Sequence, residues 1–294
     1  MSLAAPTGPG AAVPVRRRTA LAARVVRTSE LNRSFVRVVL GGDGLAGFVP
    51  SPFADSYVKL AFLGPGTAPA LDAEGRLDLT AQQAHGPAPR LRAYTVRGWD
   101  PVAHELTLDV VVHGTAGLGG PWATGAAAGD RAWVVGPGGS YSPDPTADAH
   151  LLVGDESAVP AVCVAVEQLP AGARARVLLE VRAEQDQVPL GPPPGAEVDV
   201  TWVHRGDDVV GRRLVEATRA GVWPAGRVHV FVHGEAGWVA ELRRHLRIER
   251  RVPLSDLSLS GYWRLGSDDE GWRAAKRTWA AELAAAEAGA AGPD

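Results

Sequence analysis

The segment Arg92-Ala93-Tyr94-Thr95-Val96-Arg97 carries the first sign of the architecture. On extended backbone the side chains alternate, so Arg92 and Tyr94 share one face and Thr95 points to the other. A flavin nucleotide asks for that assortment. It needs a guanidinium for its pyrophosphate, an aromatic ring against the isoalloxazine or ribose, and a small hydroxyl or backbone donor near the ring's polar edge. Taken alone, the six residues also suit an ordinary strand with a charged edge, so the flanking sequence has to decide.

Outward from this segment, about Thr19 to Ser140, the chain has the rhythm of short strands. Arg24–Arg27, Ser34–Leu40, Tyr57–Phe62 and Leu106–Val112 are β-branched or alternating. Gly41-Gly42-Asp43-Gly44, Gly64-Pro65-Gly66 and Trp99-Asp100-Pro101 punctuate them. With no long helical periodicity, this half predicts an antiparallel β barrel. After Ala147 the period changes. Strands are expected at His150–Val153, Ala175–Val181, Val198–Val203 and Val228–Val232, and helices at Ser157–Leu169, Val209–Ala220 and Ala236–Arg247. Continuous apolar strands alternating with helices predict a parallel sheet covered on both faces. The Pro143-Asp144-Pro145-Thr146 turn marks the boundary. The expected organisation is a disordered tail at 1–16, a barrel domain at 17–146 and an α/β domain at 147–294. An Ala/Glu-rich helix at about 268–288 ends the second domain, with Trp272 and Trp279 on one docking face.

Composition narrows the function classes. A chain of 294 residues suits two domains, and a net charge of −3 supplies no basic field for nucleic acid. No apolar run approaches a membrane span. Arg16-Arg17-Arg18 follow an Ala/Gly/Pro-rich start without an apolar core behind the positive residues, so a secretory signal is not expected and a cytoplasmic protein is. Cys163 stands alone in an apolar run, which excludes an intramolecular disulfide and a Cys-ligated iron–sulfur cluster. The histidines form no compact ligand pair, so no metal site is expected. Lys59 and Lys276 are the two lysines of an otherwise arginine-based set of cations. A monomer is the default state.

Three segments carry the chemistry. His113-Gly114-Thr115-Ala116-Gly117-Leu118-Gly119-Gly120-Pro121-Trp122-Ala123 follows the apolar strand ending at Val112. Its glycines let backbone N–H groups converge on a diphosphate, and a flexible hairpin loop is the competing reading. His113 is assigned a flavin contact and no proton transfer. Gly154-Asp155-Glu156-Ser157-Ala158-Val159-Pro160-Ala161 lies at the carboxyl end of the first α/β strand and opens a helix, where an open parallel sheet binds ligands. It lacks G-x-G-x-x-G, and its two carboxylates either repel a phosphate or serve as helix caps. Gly234-Glu235-Ala236 occupies the equivalent lip after a later strand.

With Tyr57-Val58-Lys59-Leu60, Gly136-Pro137-Gly138-Gly139-Ser140, Trp202-Val203-His204-Arg205 and Ser260-Gly261-Tyr262-Trp263-Arg264-Leu265-Gly266, these blocks span about Arg18 to Trp279. In that order they resemble the siderophore-interacting proteins, FAD-containing ferric-siderophore reductases of the ferredoxin-reductase-like superfamily. The Gly154–Ala161 and Ser260–Gly266 blocks are the most particular to that family. The resemblance implies that Arg92, Tyr94 and Thr95 hold FAD, with Val112, His113, Gly117, Gly119, Gly120 and Trp122 around its pyrophosphate and adenosine side. It further implies that Gly154, Asp155, Glu156, Ser157, Ala158, Gly234, Glu235 and Ala236 line the nicotinamide side, and that Tyr262 and Trp263 close the cleft. Gly120 departs from a pattern that commonly has a small hydroxyl there. The implied reaction takes electrons from NADH, NADPH or ferredoxin through FAD to the Fe(III) of a siderophore, releasing Fe(II). It asks no catalytic acid or base of the protein. Ferric siderophores are often anionic, which makes Lys59 the leading substrate contact, with Arg264 and Arg250-Arg251 behind it. Arg182 and Arg205 are candidates for a nucleotide 2′-phosphate. Two other readings stay open: a general NAD(P)H–flavin oxidoreductase with a different acceptor, and a siderophore-binding protein without redox chemistry.

Overall fold

The computed structural model describes residues 18–114 and 117–290. The tail expected at 1–16 and the loop residues Thr115 and Ala116 lie outside the described residues.

The strand rhythm of the N-terminal half becomes an antiparallel sheet. Its strands are β1 (Thr19–Asn32), β2 (Phe35–Gly41), β3 (Tyr57–Phe62), β4 (Leu77–Asp78), β5 (Arg90–Thr95), β6 (Gly98–Asp100), β7 (Glu105–Val111) and β8 (Arg131–Gly138). They pair in the order β5-β3-β8-β1-β2-β7-β6, with β4 against β1. Val96-Arg97 joins β5 to β6, and Arg97 N donates to Thr107 O of β7 at 2.9 Å, so the two ends of the ribbon meet. Alternation sends Val38, Leu40, Val58, Leu60, Leu106, Leu108 and Val134 into one core. Closure removes the exposed edges that an open antiparallel sheet would leave.

Two short helices interrupt this domain where the sequence pattern suggests none. In α1 (Leu79–Ala84) the Asp78 carboxylate accepts from Thr80 N and Ala81 N. In α2 (Gly119–Gly125) the second half of the expected glycine-rich loop coils into about two turns. Helices this brief have no room to show a 3.6-residue period, and a cap or a packing contact decides them.

The C-terminal half forms β9 (Ala149–Gly154), β10 (Arg174–Val181), β11 (Glu197–His204), β12 (Val228–Glu235) and β13 (Leu257–Trp263). All are parallel, in the order β11-β10-β9-β12-β13. The last of them, β13, falls in a segment to which the sequence reading gave no strand. On one face α3 (Val159–Glu167) packs with Leu152, Val177, Phe231 and the barrel-side residues Phe35 and Tyr141. On the other, α4 (Arg212–Ala220) and α5 (Ala236–Arg244) cover Val153, Leu178, Val230 and Val232. Helix α4 starts three residues later than its apolar pattern suggests. Gly211 sits at φ 82° there, and its N–H donates to the buried Glu180 carboxylate at 2.8 Å. The chain then runs into α6 (Asp269–Ala290). Trp272 is buried, donates from Nε1 to Gly261 O at 3.2 Å, and meets Trp279 edge-on at 5.3 Å. No helix among the described residues is long and apolar enough to cross a membrane.

Ion pairs join the two sheets. Arg33 donates from Nε and Nη2 to the Asp186 carboxylate, both at 2.8 Å, and Ser34 Oγ adds a third bond at 2.8 Å. Arg97 forks onto Glu167 of α3 at 3.0 and 2.5 Å. The Asp186 side chain is fully shielded from solvent, which is tolerable because its oxygens are taken by charged and polar donors.

His150 lies buried at this boundary, 6.0 Å from the His229 ring, which stacks on Tyr141. Burial, with repulsion from His229, lowers its pKa to about 4. An unfolded histidine titrates near 6.5, so between pH 6.5 and about 4 the unfolded chain binds more protons than the folded one. Stability therefore falls as pH drops through that window, and urea midpoints measured from pH 7 to 4 should decline there. The His150→Leu variant should show a flatter slope over the same range.

Candidate functional site

Strands β9 and β12 are neighbours whose crossovers leave in opposite directions, so a crevice opens beyond their carboxyl ends. The chain leaves each strand through a glycine that has no space for a side chain. A Cβ on Gly154 would stand 2.7 Å from Ala158 Cβ, and one on Gly234 would stand 2.4 Å from Trp238 Cζ2 and 2.5 Å from Asp155 Oδ2.

Asp155 fills the space that Gly234 leaves. Its Oδ1 accepts from Ser157 N at 2.9 Å and Ser157 Oγ at 2.5 Å. Its Oδ2 accepts from Glu235 N at 2.7 Å and from the indoles of Trp238 and Trp263, each at 3.2 Å. Burial pushes the carboxyl above the ordinary aspartate range, against the pull of these donors. Glu235 also turns inward: Oε2 accepts from Gly237 N and Trp238 N to cap α5, and Oε1 accepts from Leu265 N at 3.1 Å. With their oxygens committed to internal donors, the Asp155 and Glu235 carboxylates build the lip from inside. Of the two carboxylates at 155 and 156, neither caps α3; Glu156 instead pairs with Arg205 at 2.8 and 2.9 Å.

Arg205 also reaches Glu180 at 3.2 Å, and Arg182 pairs with Asp207 at 2.8 Å. Both arginines considered for a 2′-phosphate are thus already engaged by carboxylates. Tyr262 and Trp263 end β13 beside the lip. The Tyr262 hydroxyl meets His233 Nδ1 at 3.0 Å, and His233 Nε2 meets Ser258 Oγ at 2.9 Å. Burial holds the His233 imidazole well below its usual pKa, so it stays neutral.

The barrel forms the opposite wall. The β3–β5 register sets Arg92 against Leu60 and Tyr94 against Val58, while Lys59 lies against Ala93 on the alternate face. Tyr94 is half-buried, and its hydroxyl occupies the position where a Cβ of Gly119 would fall, at 1.8 Å. Gly120 differs: a Cβ there would stand 3.6 Å from Val112 Cα, an ordinary contact. His113 is exposed beyond β7, and Trp122 packs edge-on against Phe62 at 5.9 Å. Arg92 faces α6. Nη1 donates to Asp269 Oδ2 at 3.1 Å and Glu270 Oε1 at 2.6 Å, and Nη2 donates to Glu270 Oε2 at 3.0 Å.

Lys59 stands 5.7 Å from the Tyr57 ring centroid, with its pKa lowered by burial and then by Arg273 and Arg18. Lys276 donates to Ser260 Oγ at 3.0 Å, and its pKa is lowered by burial and then by Lys59. Lys59 on β3 thus lies within charge range of Arg18, Arg273 and Lys276, with Asp269 as the opposing carboxylate, while Arg273 Nη1 donates to Leu91 O of β5 at 3.2 Å. Sequence reasoning missed Arg273 and Lys276 as partners of Lys59. The available signal was Lys276 itself, four residues after Trp272 and three before Trp279, on the docking face of an amphipathic helix. Arg264 is exposed, and Arg250 lies over the Trp223 ring at 5.3 Å, apart from these cations. Among the described residues no group of three or more His, Cys, Asp or Glu side chains is placed to hold a metal ion.

The sequence matches two protein-family models. Residues 24–141 match the siderophore-interacting FAD-binding domain, and residues 147–266 match the siderophore-interacting protein profile. An uncharacterised Mycobacterium tuberculosis protein is 44% identical over 277 residues, covering 90% of this chain and 96% of its own length. The ferric vibriobactin reductase ViuB of Vibrio cholerae is 33% identical over 259 residues, covering 84% of this chain and 90% of its own. A siderophore utilization protein from T. fusca superimposes with a TM-score of 0.72 at 34% identity, covering 85% of this chain and 94% of that one.

The residues present fit FAD. Arg92 already grips a two-oxygen anion in the fork geometry that suits phosphate oxygens, here the Glu270 carboxylate. Tyr94 and the glycine-started α2 lie against each other beside it. These contacts make opposite demands of adjacent glycines. Gly119→Ala should displace Tyr94 and weaken FAD binding, whereas Gly120→Ser should fold normally and bind FAD at least as tightly through its added hydroxyl. Titration of the apoprotein with FAD, followed by flavin fluorescence, checks both.

Proposed function

The chain belongs to the siderophore-interacting protein family, and from that membership we propose that it reduces ferric siderophores and releases their iron as Fe(II). Electrons come from NADH, NADPH or a ferredoxin through FAD. The observation that carries the reading is the placement of Lys59 on β3, Arg273 on Leu91 O of β5 and Lys276 on Ser260 Oγ, beside the strand that presents Arg92 and Tyr94. Each lysine has its ammonium disfavoured by burial and by the neighbouring cations. An anionic ligand relieves both penalties, which makes these cations a receptor for the negative charge of a ferric siderophore.

When bound, FAD supplies the conversion between a two-electron donor and the one-electron reduction of Fe(III). Arg92, Tyr94 and Thr95 hold and orient it from the barrel, with His113, Gly117, Gly119, Gly120 and Trp122 along its phosphate and adenosine side. The lip at Gly154, Ser157, Ala158, Gly234 and Ala236 takes the nicotinamide side, at the point where this sheet topology leaves a crevice. Tyr262 and Trp263 close the cleft, and His233 fixes the direction of the Tyr262 hydroxyl. No side chain is required as acid or base. Fe(II) binds hard oxygen ligands less tightly than Fe(III), so reduction itself drives release. A cytoplasmic monomer meets these requirements.

The test is the visible spectrum of the purified protein, recorded anaerobically. An oxidised-flavin spectrum that bleaches with dithionite and returns on adding a ferric siderophore supports the proposal. A colourless protein that cannot be reconstituted with FAD overturns it. Lys59→Ala and Lys276→Ala should each raise the apparent KM for the ferric siderophore several-fold while leaving donor-dependent flavin reduction near wild type; unchanged siderophore kinetics in both would remove these lysines from the site.

A further inference from the structure

The geometry points to Asp269 and Glu270, the first turn of α6, as an internal anion that holds Arg92 in place of the flavin phosphate. Loading of the cofactor and seating of the first turn of α6 thereby compete for one guanidinium. The inference rests on the flavin reading above and adds to it a pair of residues that sets flavin affinity.

The contact is well built. Glu270 takes Nη1 and Nη2 of Arg92 at 2.6 and 3.0 Å, Asp269 takes Nη1 at 3.1 Å, and Leu91 O takes Nη1 at 3.1 Å. Nη1 has two hydrogens and three acceptors, so the fork is saturated on that side. The Arg92 side chain is only 15% exposed, which makes the interaction stronger than a surface pair. An arriving diphosphate meets two carboxylates on the guanidinium that would bind it. Like charges at this distance in a partly dry site do not coexist, so one anion leaves.

The carboxylates are the ones free to move. Glu270 has 44% of its side chain exposed and Asp269 has 29%, and both remain in the first turn of a helix, where the dipole favours negative charge. The rest of α6 stays docked without them, through Trp272 on Gly261 O, Lys276 on Ser260 and Glu287 on Arg243 and Arg247. The exchange is thus confined to one helical turn.

The test compares FAD dissociation constants of wild-type apoprotein, the double variant Asp269→Asn/Glu270→Gln, and Glu282→Gln, which removes a charge from an exposed position further along α6. The double variant should bind FAD about tenfold more tightly, the order expected when a partly buried charge-assisted pair no longer has to be broken. Glu282→Gln should match wild type. Hydrogen exchange of the wild type should quicken at residues 269–272 on adding FAD, and the double variant should show no such FAD-dependent change. FAD binding with equal constants in all three proteins overturns the inference alone, as does equal tightening in Glu282→Gln. Failure of every protein to bind FAD overturns the flavin reading and this inference together.

Discussion

Asp155 has no solvent exposure, yet its two oxygens accept from Ser157, Glu235, Trp238 and Trp263. An isolated carboxylate in that position would cost several kcal/mol, and only a complete set of donors makes it tolerable. The donors come from the turn before α3, the end of β12, the start of α5 and the end of β13. One carboxylate thus fixes four chain segments at the point where the parallel sheet opens. The close approaches at Gly154 and Gly234 follow from it, because the space beside those glycines is already taken by Asp155, Ala158 and Trp238. Glu235, held by its own N–H on Asp155, is left pointing at the α5 terminus that it caps.

A second layer of arginine–carboxylate pairs relates this half to the barrel. Arg33 on Asp186, Arg97 on Glu167 and Arg92 on Glu270 each cross from an N-terminal element to a C-terminal one. All three are bidentate forks with one well-shielded partner, the geometry in which such pairs orient surfaces as well as hold them. Between them the apolar contact of Phe35 and Tyr141 with Phe231 and Val162 supplies the buried area. Orientation from the pairs and area from the core together keep β5 opposite the lip.

Much of this was legible in the chain. The alternation of Arg92 and Tyr94 is a property of extended backbone, and it put both on one face before any partner strand was known. The change from alternating to continuous apolar strands separated the closed antiparallel sheet from the covered parallel one. The glycines at 154 and 234 marked the carboxyl ends of two strands of the parallel sheet. What stayed hidden depended on where a side chain turns after its backbone is fixed. Asp155 and Glu235 look like ligands from their place at a lip, and only the positions of Ser157, Trp238 and Leu265 turn them inward. Arg92 meets Glu270 across 178 residues of sequence, and no local pattern announces such a pair. Lys276 was visible as an oddity on an apolar face, without the strand that brings Lys59 near it. Gly211 delayed α4 through a hydrogen bond to Glu180 that no spacing rule contains.

Helix α6 follows in the chain every element it touches, and this bears on how the protein is made. Domains tend to fold as units in the order in which they leave the ribosome. Arg92 is synthesised with the barrel, and its carboxylate partners emerge only after the parallel sheet is complete. Nascent barrel therefore displays an uncompensated guanidinium for the whole interval in which the second domain is translated.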